Sequence, residues 1–158
     1  MLYPTRLKAA VTTIAFLGSL ASAQVASASP GAGVTPFNFV TANLLDNGHI
    51  NHDRIKFQTK DPTTVRVQRL TFAPGAFTGW HHHPGLVVVA VESGFVTLTD
   101  SQCGTKTYGP GSPDGSVFVE GHADAHEARS MSGATVYVTY VSPTSSFRIE
   151  DSPPACAQ

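Results

Sequence analysis

From about residue 37 onward, the sequence consists of short apolar segments separated by glycine, proline, serine and aspartate. Residues 86–91 form a continuous apolar run, which is typical of a strand that is central in its sheet or buried on both faces. A Ser-Gly turn follows, and residues 95–99 then alternate as in a strand with two different faces. We find no convincing helical period in this region. Many short strands at such close spacing predict an all-β sandwich or barrel.

The segment of residues 64–73 is also strand-like, because β-branched side chains are frequent in it. Its apolar positions change phase along the segment. Val65 and Val67 share one face of an extended chain, whereas Leu70 and Phe72 share the other. This change predicts a β-bulge between Val67 and Leu70.

The N-terminal residues have the order of a secretory signal peptide. Arg6 and Lys8 supply positive charge, an apolar stretch continues to Leu20, and residues 21–23 (Ala-Ser-Ala) form a small-x-small cleavage site. The stretch is too short for a spanning helix. We therefore predict a signal peptide over residues 1–23 and a mature protein that is secreted or periplasmic. A retained N-terminal anchor is the alternative.

The remaining chain divides into two parts. Residues 24–36 are mostly Ala, Ser, Gly and Pro, a composition that predicts a flexible leader. Residues 37–158 carry the strand patterns and are long enough to bury one core. They show no internal repeat that would indicate two domains, so we predict a single β-barrel domain.

The charge balance narrows the range of partners. Two of the ten basic residues lie in the predicted signal peptide, so the mature chain has eight basic residues against eleven acidic ones, a net charge near −3. Nucleic-acid-binding proteins present a basic face, and anionic membrane surfaces attract basic segments. We therefore expect neither a nucleic acid nor, after cleavage, a membrane as partner. A small-molecule ligand is expected, and a homodimer is a possible assembly.

Two cysteines, Cys103 and Cys156, remain after cleavage. In an exported protein an even number of cysteines favours a disulfide. This pair would tie a proline-rich tail to a turn that is rich in Ser, Gly and Thr. Thiol ligation of a metal is the alternative, which the distance in sequence from the histidines disfavours.

Three consecutive histidines follow Trp80. Alternate residues of a strand share a face, so His81 and His83 point the same way and His82 points the opposite way. Two imidazoles on one face can bind one metal ion if a third ligand comes from elsewhere. His126 is the best candidate for this ligand and His122 is the other. A solvated turn would explain the cluster equally well.

The spacing around these histidines resembles the first motif of the cupin superfamily: glycine, five residues, His-x-His, three or four residues, glutamate, six residues and glycine. Gly75 and Gly94 match its two glycines, and His81 and His83 match its His-x-His. Val87 stands at the glutamate position. The Pro-Gly that follows His83 is also usual in this family.

The second cupin motif is glycine, five residues, Pro-x-Gly, two residues, His, three residues and Asn. Gly115 and His126 match it in register, whereas Gly121, Ala123 and Ser130 replace its proline, second glycine and asparagine. The chain thus resembles small bacterial single-domain cupins of the type-2 kind. The resemblance implies a jelly-roll β-barrel of six to eight strands.

The resemblance also implies a metal cofactor. In typical cupins, three histidines and the glutamate hold one divalent ion, which can be Fe, Zn, Mn, Ni or Cu. In this chain the corresponding ligands are His81, His83 and His126, because Val87 cannot bind a metal. A three-His site of this kind is similar to that of some cupin thiol dioxygenases and diketone-cleaving dioxygenases. The other interpretation is a barrel that binds an organic ligand without metal.

Other residues are candidates for the substrate pocket. They are Trp80, Val87 and Tyr140. For Trp80, the alternative is that its side chain plugs the barrel. Tyr140 and Arg129 are also candidates for binding an anionic substrate, and Arg129 in a surface ion pair is the alternative. No residue is identified as catalytic.

The predicted function is that of an exported cupin that binds one divalent metal ion and acts as an oxygenase-like enzyme on a small organic substrate. A non-catalytic cupin that binds a metal or a small ligand is the alternative, and a purely structural barrel is a third hypothesis. One fold supports many activities, so the fold alone does not select among them.

Overall fold

The computed structural model describes residues 31–121 and 123–158, so the predicted signal peptide and His122 lie outside the described residues. Within this part, no helix is long and apolar enough to cross a membrane. The described chain is almost entirely β, with one short 3-10 helix, Ala155–Ala157. The strands are β1 (Ala32–Leu44), β2 (His49–His52), β3 (Ile55–Gln58), β4 (Thr63–Phe77), β5 (His81–His82), β6 (Leu86–Gly94), β7 (Val96–Asp100), β8 (Thr105–Tyr108), β9 (Val117–Glu120), β10 (His126–Ser130), β11 (Ala134–Ser142) and β12 (Ile149–Glu150).

Ten of these strands form one antiparallel sheet, which curves into a nearly closed barrel. Strand β4 is the longest and pairs with β1, β10 and β11. Beyond β11 the order continues through β6 to β9, and on the other side β10 connects to β5, β7 and β12. Strands β2 and β3 form a separate hairpin. The predicted all-β, cupin-type jelly-roll barrel is therefore confirmed.

The core lies on the inner face of the barrel, where alternate strand positions point. In β6, Val87, Val89 and Val91 are buried, and in β11 Val136 and Val138 are buried. Strand β6 pairs with β11 on one side and with β9 on the other. The prediction of a central strand over residues 86–91 is thus confirmed.

The predicted bulge in β4 is wrong. The pairing of β4 with β11 runs without interruption from Phe72 to Thr64. The inner face of β4 continues from Phe72 and Leu70 to Gln68 and Arg66, so it becomes polar towards one end. The apolar pattern changes phase because polar side chains occupy inward positions there, while the backbone keeps its register. A register shift lies instead on the side of β1, which has one extra residue between Asn38 and Val40.

Strand β1 begins at Ala32, inside the segment that was predicted as a flexible leader. Its backbone pairs with β4, and Val34 is opposite Phe72. Pairing satisfies the backbone donors and acceptors of this segment in spite of its Gly- and Pro-containing composition. The ordered barrel therefore includes residues 32–36 as well.

The two glycines of the first motif have backbone conformations that side chains disfavour. Gly75 has a φ of 78° and Gly94 a φ of 72°. A Cβ atom at Gly94 would also lie 2.1 Å from the carbonyl oxygen of Gly133, so there is no space for a side chain. Glycine adopts such conformations without strain, at an irregular part of β4 for Gly75 and at the turn that ends β6 for Gly94.

Cys103 and Cys156 form a disulfide with a Cα–Cα distance of 6.3 Å. Cys103 lies in the turn between β7 and β8, and Cys156 lies in the short C-terminal helix. The predicted pairing is therefore present. It fixes the end of the chain to a hairpin that is 53 residues away in sequence.

Replacing Cys103 and Cys156 by serine should lower the free energy of unfolding by about 3–4 kcal/mol, because the link restricts the unfolded chain. Urea denaturation measures the effect. A reducing agent should destabilise the unmodified protein similarly and should leave the double variant unchanged. Equal midpoints for the two proteins under non-reducing conditions would contradict the prediction.

Candidate metal centre

Three buried histidines converge inside the barrel. His81 in β5 is directly opposite His126 in β10, and His83 follows two residues after His81 on the same side. Their exposed fractions are 4%, 6% and 4%, respectively. The ring centroids lie 4.5–5.1 Å apart, and one nitrogen of each ring lies within 4.8 Å of the others. The group that the sequence predicted is therefore brought together, and it could hold a metal ion.

Each of these rings is oriented by a backbone carbonyl. A carbonyl oxygen can only accept a hydrogen bond, so each Nδ1 must carry the proton and donate it. In a neutral imidazole the other nitrogen, Nε2, then has a free lone pair, which is the form that binds metals. The three bonds are His81 Nδ1 to Gly79 O at 2.9 Å, His83 Nδ1 to Phe147 O at 2.6 Å, and His126 Nδ1 to Asp124 O at 2.9 Å.

Glu120 is a functional candidate that the sequence analysis missed. It is the last residue of β9, and only 8% of its side chain is exposed. Its Oε2 lies 3.3 Å from His83 Nε2, and its Oε1 lies 3.2 Å from His126 Nε2. The available signal was its position two residues after the buried Phe118, because alternation then directs Glu120 inward as well.

The carboxylate of Glu120 enters from a strand next to the one expected. Val87 in β6, where the cupin motif has its glutamate, is directly opposite Glu120 in β9. Opposed residues of an antiparallel pair point to the same side of the sheet. The side chain of Val87 is buried, with an exposed fraction of 1%. The histidines are therefore accompanied by a carboxylate, and the expectation of a three-His cluster without one is corrected.

Burial disfavours the charged form of two histidines of this cluster. The pKa of His81 is lowered to about 2, chiefly by burial and also by the positive charge of Arg148. Burial also lowers the pKa of His126, although the charge of Glu120 acts in the opposite direction. His126 Nε2 is buried and has no hydrogen-bond partner within the described residues. In their neutral form, the imidazoles of His83 and His126 therefore direct Nε2 lone pairs at the carboxylate oxygens of Glu120, over 3.2–3.3 Å.

A cation between these atoms would remove that conflict. Neutral imidazole nitrogens and a carboxylate oxygen are a donor set that suits first-row divalent metals. The residues therefore fit the metal ion that the motif implies. The nearly closed antiparallel barrel, the matched motif spacing and this convergence of three histidines agree with a cupin-type fold. The chain has the cupin fold.

Comparison with solved structures finds similar proteins at low sequence identity. Salicylate 1,2-dioxygenase from Pseudoaminobacter salicylatoxidans aligns with 72% of this chain and 26% of its own, at 15% identity and a TM-score of 0.48. A conserved protein with a double-stranded β-helix domain from Klebsiella pneumoniae aligns with 56% of this chain and 70% of its own, at 16% identity and a TM-score of 0.47.

An oxalate oxidase in complex with the substrate analogue glycolate aligns with 48% of this chain and 40% of its own, at 21% identity and a TM-score of 0.40. This chain thus spans less than half of either enzyme. These identities and scores do not bear on its activity. No protein-family model matches the sequence, and a search of curated proteins finds no match.

Three further residues that the sequence analysis considered lie outside the histidine cluster. His82 points to the opposite face, as predicted, and its Nδ1 lies 2.7 Å from a carboxylate oxygen of Asp151. Trp80 is buried but is not among the residues that line the cavity beside the histidines. Arg129 pairs with Glu127 at 3.0 Å, which agrees with the surface-pair alternative.

A small cavity, with about 60 Å³ of space for water-sized molecules and partly open to solvent, adjoins the histidines. His81, His83 and Glu120 form one end of it, and Tyr140 lines it as predicted. Burial raises the pKa of Tyr140 to about 12, so its hydroxyl stays protonated. The other walls are mostly apolar and include Leu70, Phe72, Val89, Val96, Phe118, Ala128, Val136 and Val138.

Glu120→Gln should stabilise the metal-free protein. The amide of glutamine can donate a hydrogen bond to an Nε2 lone pair that faces the carboxylate oxygens of Glu120, and satisfying a buried acceptor is worth about 1–3 kcal/mol. Thermal denaturation in the presence of a chelator measures the change. Glu92→Gln, at an exposed position, is the matched control and should have no effect. A lower midpoint for Glu120→Gln than for the unmodified protein would refute the described geometry.

Proposed function

We propose that this protein is an exported cupin that binds one divalent metal ion through His81, His83, His126 and Glu120 and acts on a small organic substrate. The observation that carries the proposal is the convergence of three buried imidazole rings beside the buried carboxylate of Glu120. Two of the Nε2 atoms lie 3.2–3.3 Å from its oxygens, and that of His126 has no hydrogen-bond partner within the described residues. Three neutral ligands and one anionic ligand would leave a net charge of about +1 on a divalent ion. Such a set suits Fe, Zn, Mn, Ni or Cu.

The residues of the chain have separate tasks in this proposal. The backbone carbonyls of Gly79, Asp124 and Phe147 hold the histidine rings in the metal-binding tautomer. The apolar cavity walls lower the local dielectric constant beside the centre, which strengthens polar interactions there. The protonated hydroxyl of Tyr140 can donate a hydrogen bond to an oxygen atom of the substrate. When bound, the metal would supply Lewis-acid activation and, in the case of Fe(II), a position for O2.

An oxygenase-like enzyme is the favoured form of the proposal, because the cavity gives a small molecule access to the open side of the centre. A non-catalytic protein that binds a metal or small ligand at the same residues is the alternative. Ligand turnover by the metal-loaded protein, followed as O2 consumption or as product formation, separates the two.

Export is supported by two independent observations. The order of charged, apolar and small residues over positions 1–23 is that of a signal peptide. Disulfides persist in oxidising compartments, and Cys103 and Cys156 are paired. N-terminal sequencing of the protein from culture medium or periplasm would locate the cleavage site.

The metal ligands can be tested one at a time. Natively produced protein should contain about one divalent ion per chain by elemental analysis. His81→Ala, His83→Ala and His126→Ala should each lose it, since removal of a ligand costs more than the roughly 10–100-fold that is typical of an outer partner. His82→Ala is the matched control and should keep the ion. Loss of the metal in His82→Ala together with its retention in His83→Ala would show that the assignment is wrong.

An exchange of positions tests the role of Glu120. Glu120→Gln should weaken metal binding by more than about 10-fold. Adding Val87→Glu should restore most of this affinity, because residues 87 and 120 are opposed and face the same centre. Val87→Glu alone should destabilise the metal-free protein, since it places two carboxylates side by side in a buried site. Chelator competition measures the affinities, and failure of the double variant to regain metal would indicate that position 87 does not reach the centre.

A further inference from the structure

A second, wider cavity adjoins the one beside the histidines. It has about 440 Å³ of space for water-sized molecules and is open to solvent. Leu70, Thr78, Tyr140 and Arg148 line both cavities, so the two are adjacent and these four residues form their junction. We call the wider one the outer cavity and the one beside the histidines the inner cavity.

One row of side chains runs across four strands from the outer cavity to the centre. Arg66 in β4 is opposite Tyr140 in β11, Tyr140 is opposite Val87 in β6, and Val87 is opposite Glu120 in β9. Residues that oppose one another in antiparallel strands point to the same face, so all four point inward. Neighbouring strands are about 4.8 Å apart. Arg66 and Glu120 thus mark the two ends of a path about three strand spacings long.

The charged groups along this path are not balanced. Arg148 is paired with Glu150 at 2.8 Å and also donates to the carbonyl oxygen of Thr78. Arg66 donates from Nε to the hydroxyl of Thr41, and its guanidinium lies 3.9 Å from the ring centroid of Phe147. No carboxylate of the described residues lies within 4 Å of the guanidinium nitrogens of Arg66. The outer cavity therefore carries an uncompensated positive charge.

The inner cavity is mostly apolar, in contrast to the positively charged outer cavity. Apart from the histidines, Glu120 and the residues at the junction, its walls are apolar. A ligand that fills both cavities needs an anionic group at the outer end and a hydrocarbon body at the inner end. A guanidinium presents its donors in a planar fork that matches a carboxylate. The tyrosine hydroxyl at the junction can donate to the same group.

We propose that the outer cavity recognises the carboxylate of a small aliphatic organic acid, with Arg66 as the determinant of specificity and Tyr140 as a second donor. The hydrocarbon body of the acid lies in the inner cavity and extends towards Glu120. The inference rests on the proposed function in one respect, namely that the same cavity receives the substrate of the centre. The contacts of Arg66 themselves do not involve a metal.

Calorimetric titration of the full-length mature protein with hexanoate and with neutral hexanamide tests this assignment. The two probes have the same hydrocarbon body, so their difference reports the carboxylate. Hexanoate should bind more tightly, and Arg66→Gln should weaken its binding about 10-fold or more while leaving hexanamide unchanged. Arg69→Gln is the matched control, because Arg69 is on the same strand but lines neither cavity. It should bind both probes as the unmodified protein does.

The metal content of each variant is measured in parallel, so that the two proposals can fail separately. Arg66→Gln should retain its metal. If the protein holds no metal but prefers hexanoate in a manner that depends on Arg66, the proposed metal function is wrong and the carboxylate site stands. Equal binding of hexanoate and hexanamide, or a preference that survives Arg66→Gln, would overturn the carboxylate site whatever the metal content.

Discussion

Three hydrogen bonds from imidazole Nδ1 atoms to backbone carbonyls underlie the chemistry of this barrel. They assign the proton of each ring to the side away from the centre, and they leave the Nε2 lone pairs of His81, His83 and His126 directed inward. Burial then makes protonation of His81 and His126 unfavourable. A positive ion at the middle of the cluster would satisfy these lone pairs.

The position of Glu120 shows that a carboxylate beside the histidines can come from β9 as well as from β6. Val87 and Glu120 face the same interior space from opposed positions on neighbouring strands. A carboxylate on either strand can reach the histidines, because opposed side chains are only about 4.5–5.5 Å apart at Cβ. A carboxylate from β9 approaches the histidines from a different direction than one from β6 would, so a different side of the centre remains open. Here the open side faces the cavity that Tyr140 lines.

The fold class and the histidine cluster were predictable because strand alternation and motif spacing are local properties. The role of Glu120 was not predictable with the same ease, since β9 is apolar on both faces: Phe118 is buried while Val117 and Val119 are exposed. Only the register with β6 shows which face is inside. The inward position of Arg66 was missed for the converse reason. The sequence analysis followed the apolar residues Val65 and Val67 in this part of the strand, and their change of phase was interpreted as a bulge.

The C-terminal segment, residues 147–158, provides contacts that complete the surroundings of the histidines. It supplies the carbonyl of Phe147 that orients His83, the Asp151 carboxylate that holds His82, and the guanidinium of Arg148 at the cavity junction. Its end is then locked by Cys156. A ribosome delivers these residues last, so a nascent chain that already contains every histidine still lacks the carbonyl that sets the tautomer of one ring. The orientation of His83 therefore depends on the finished chain, after synthesis has ended.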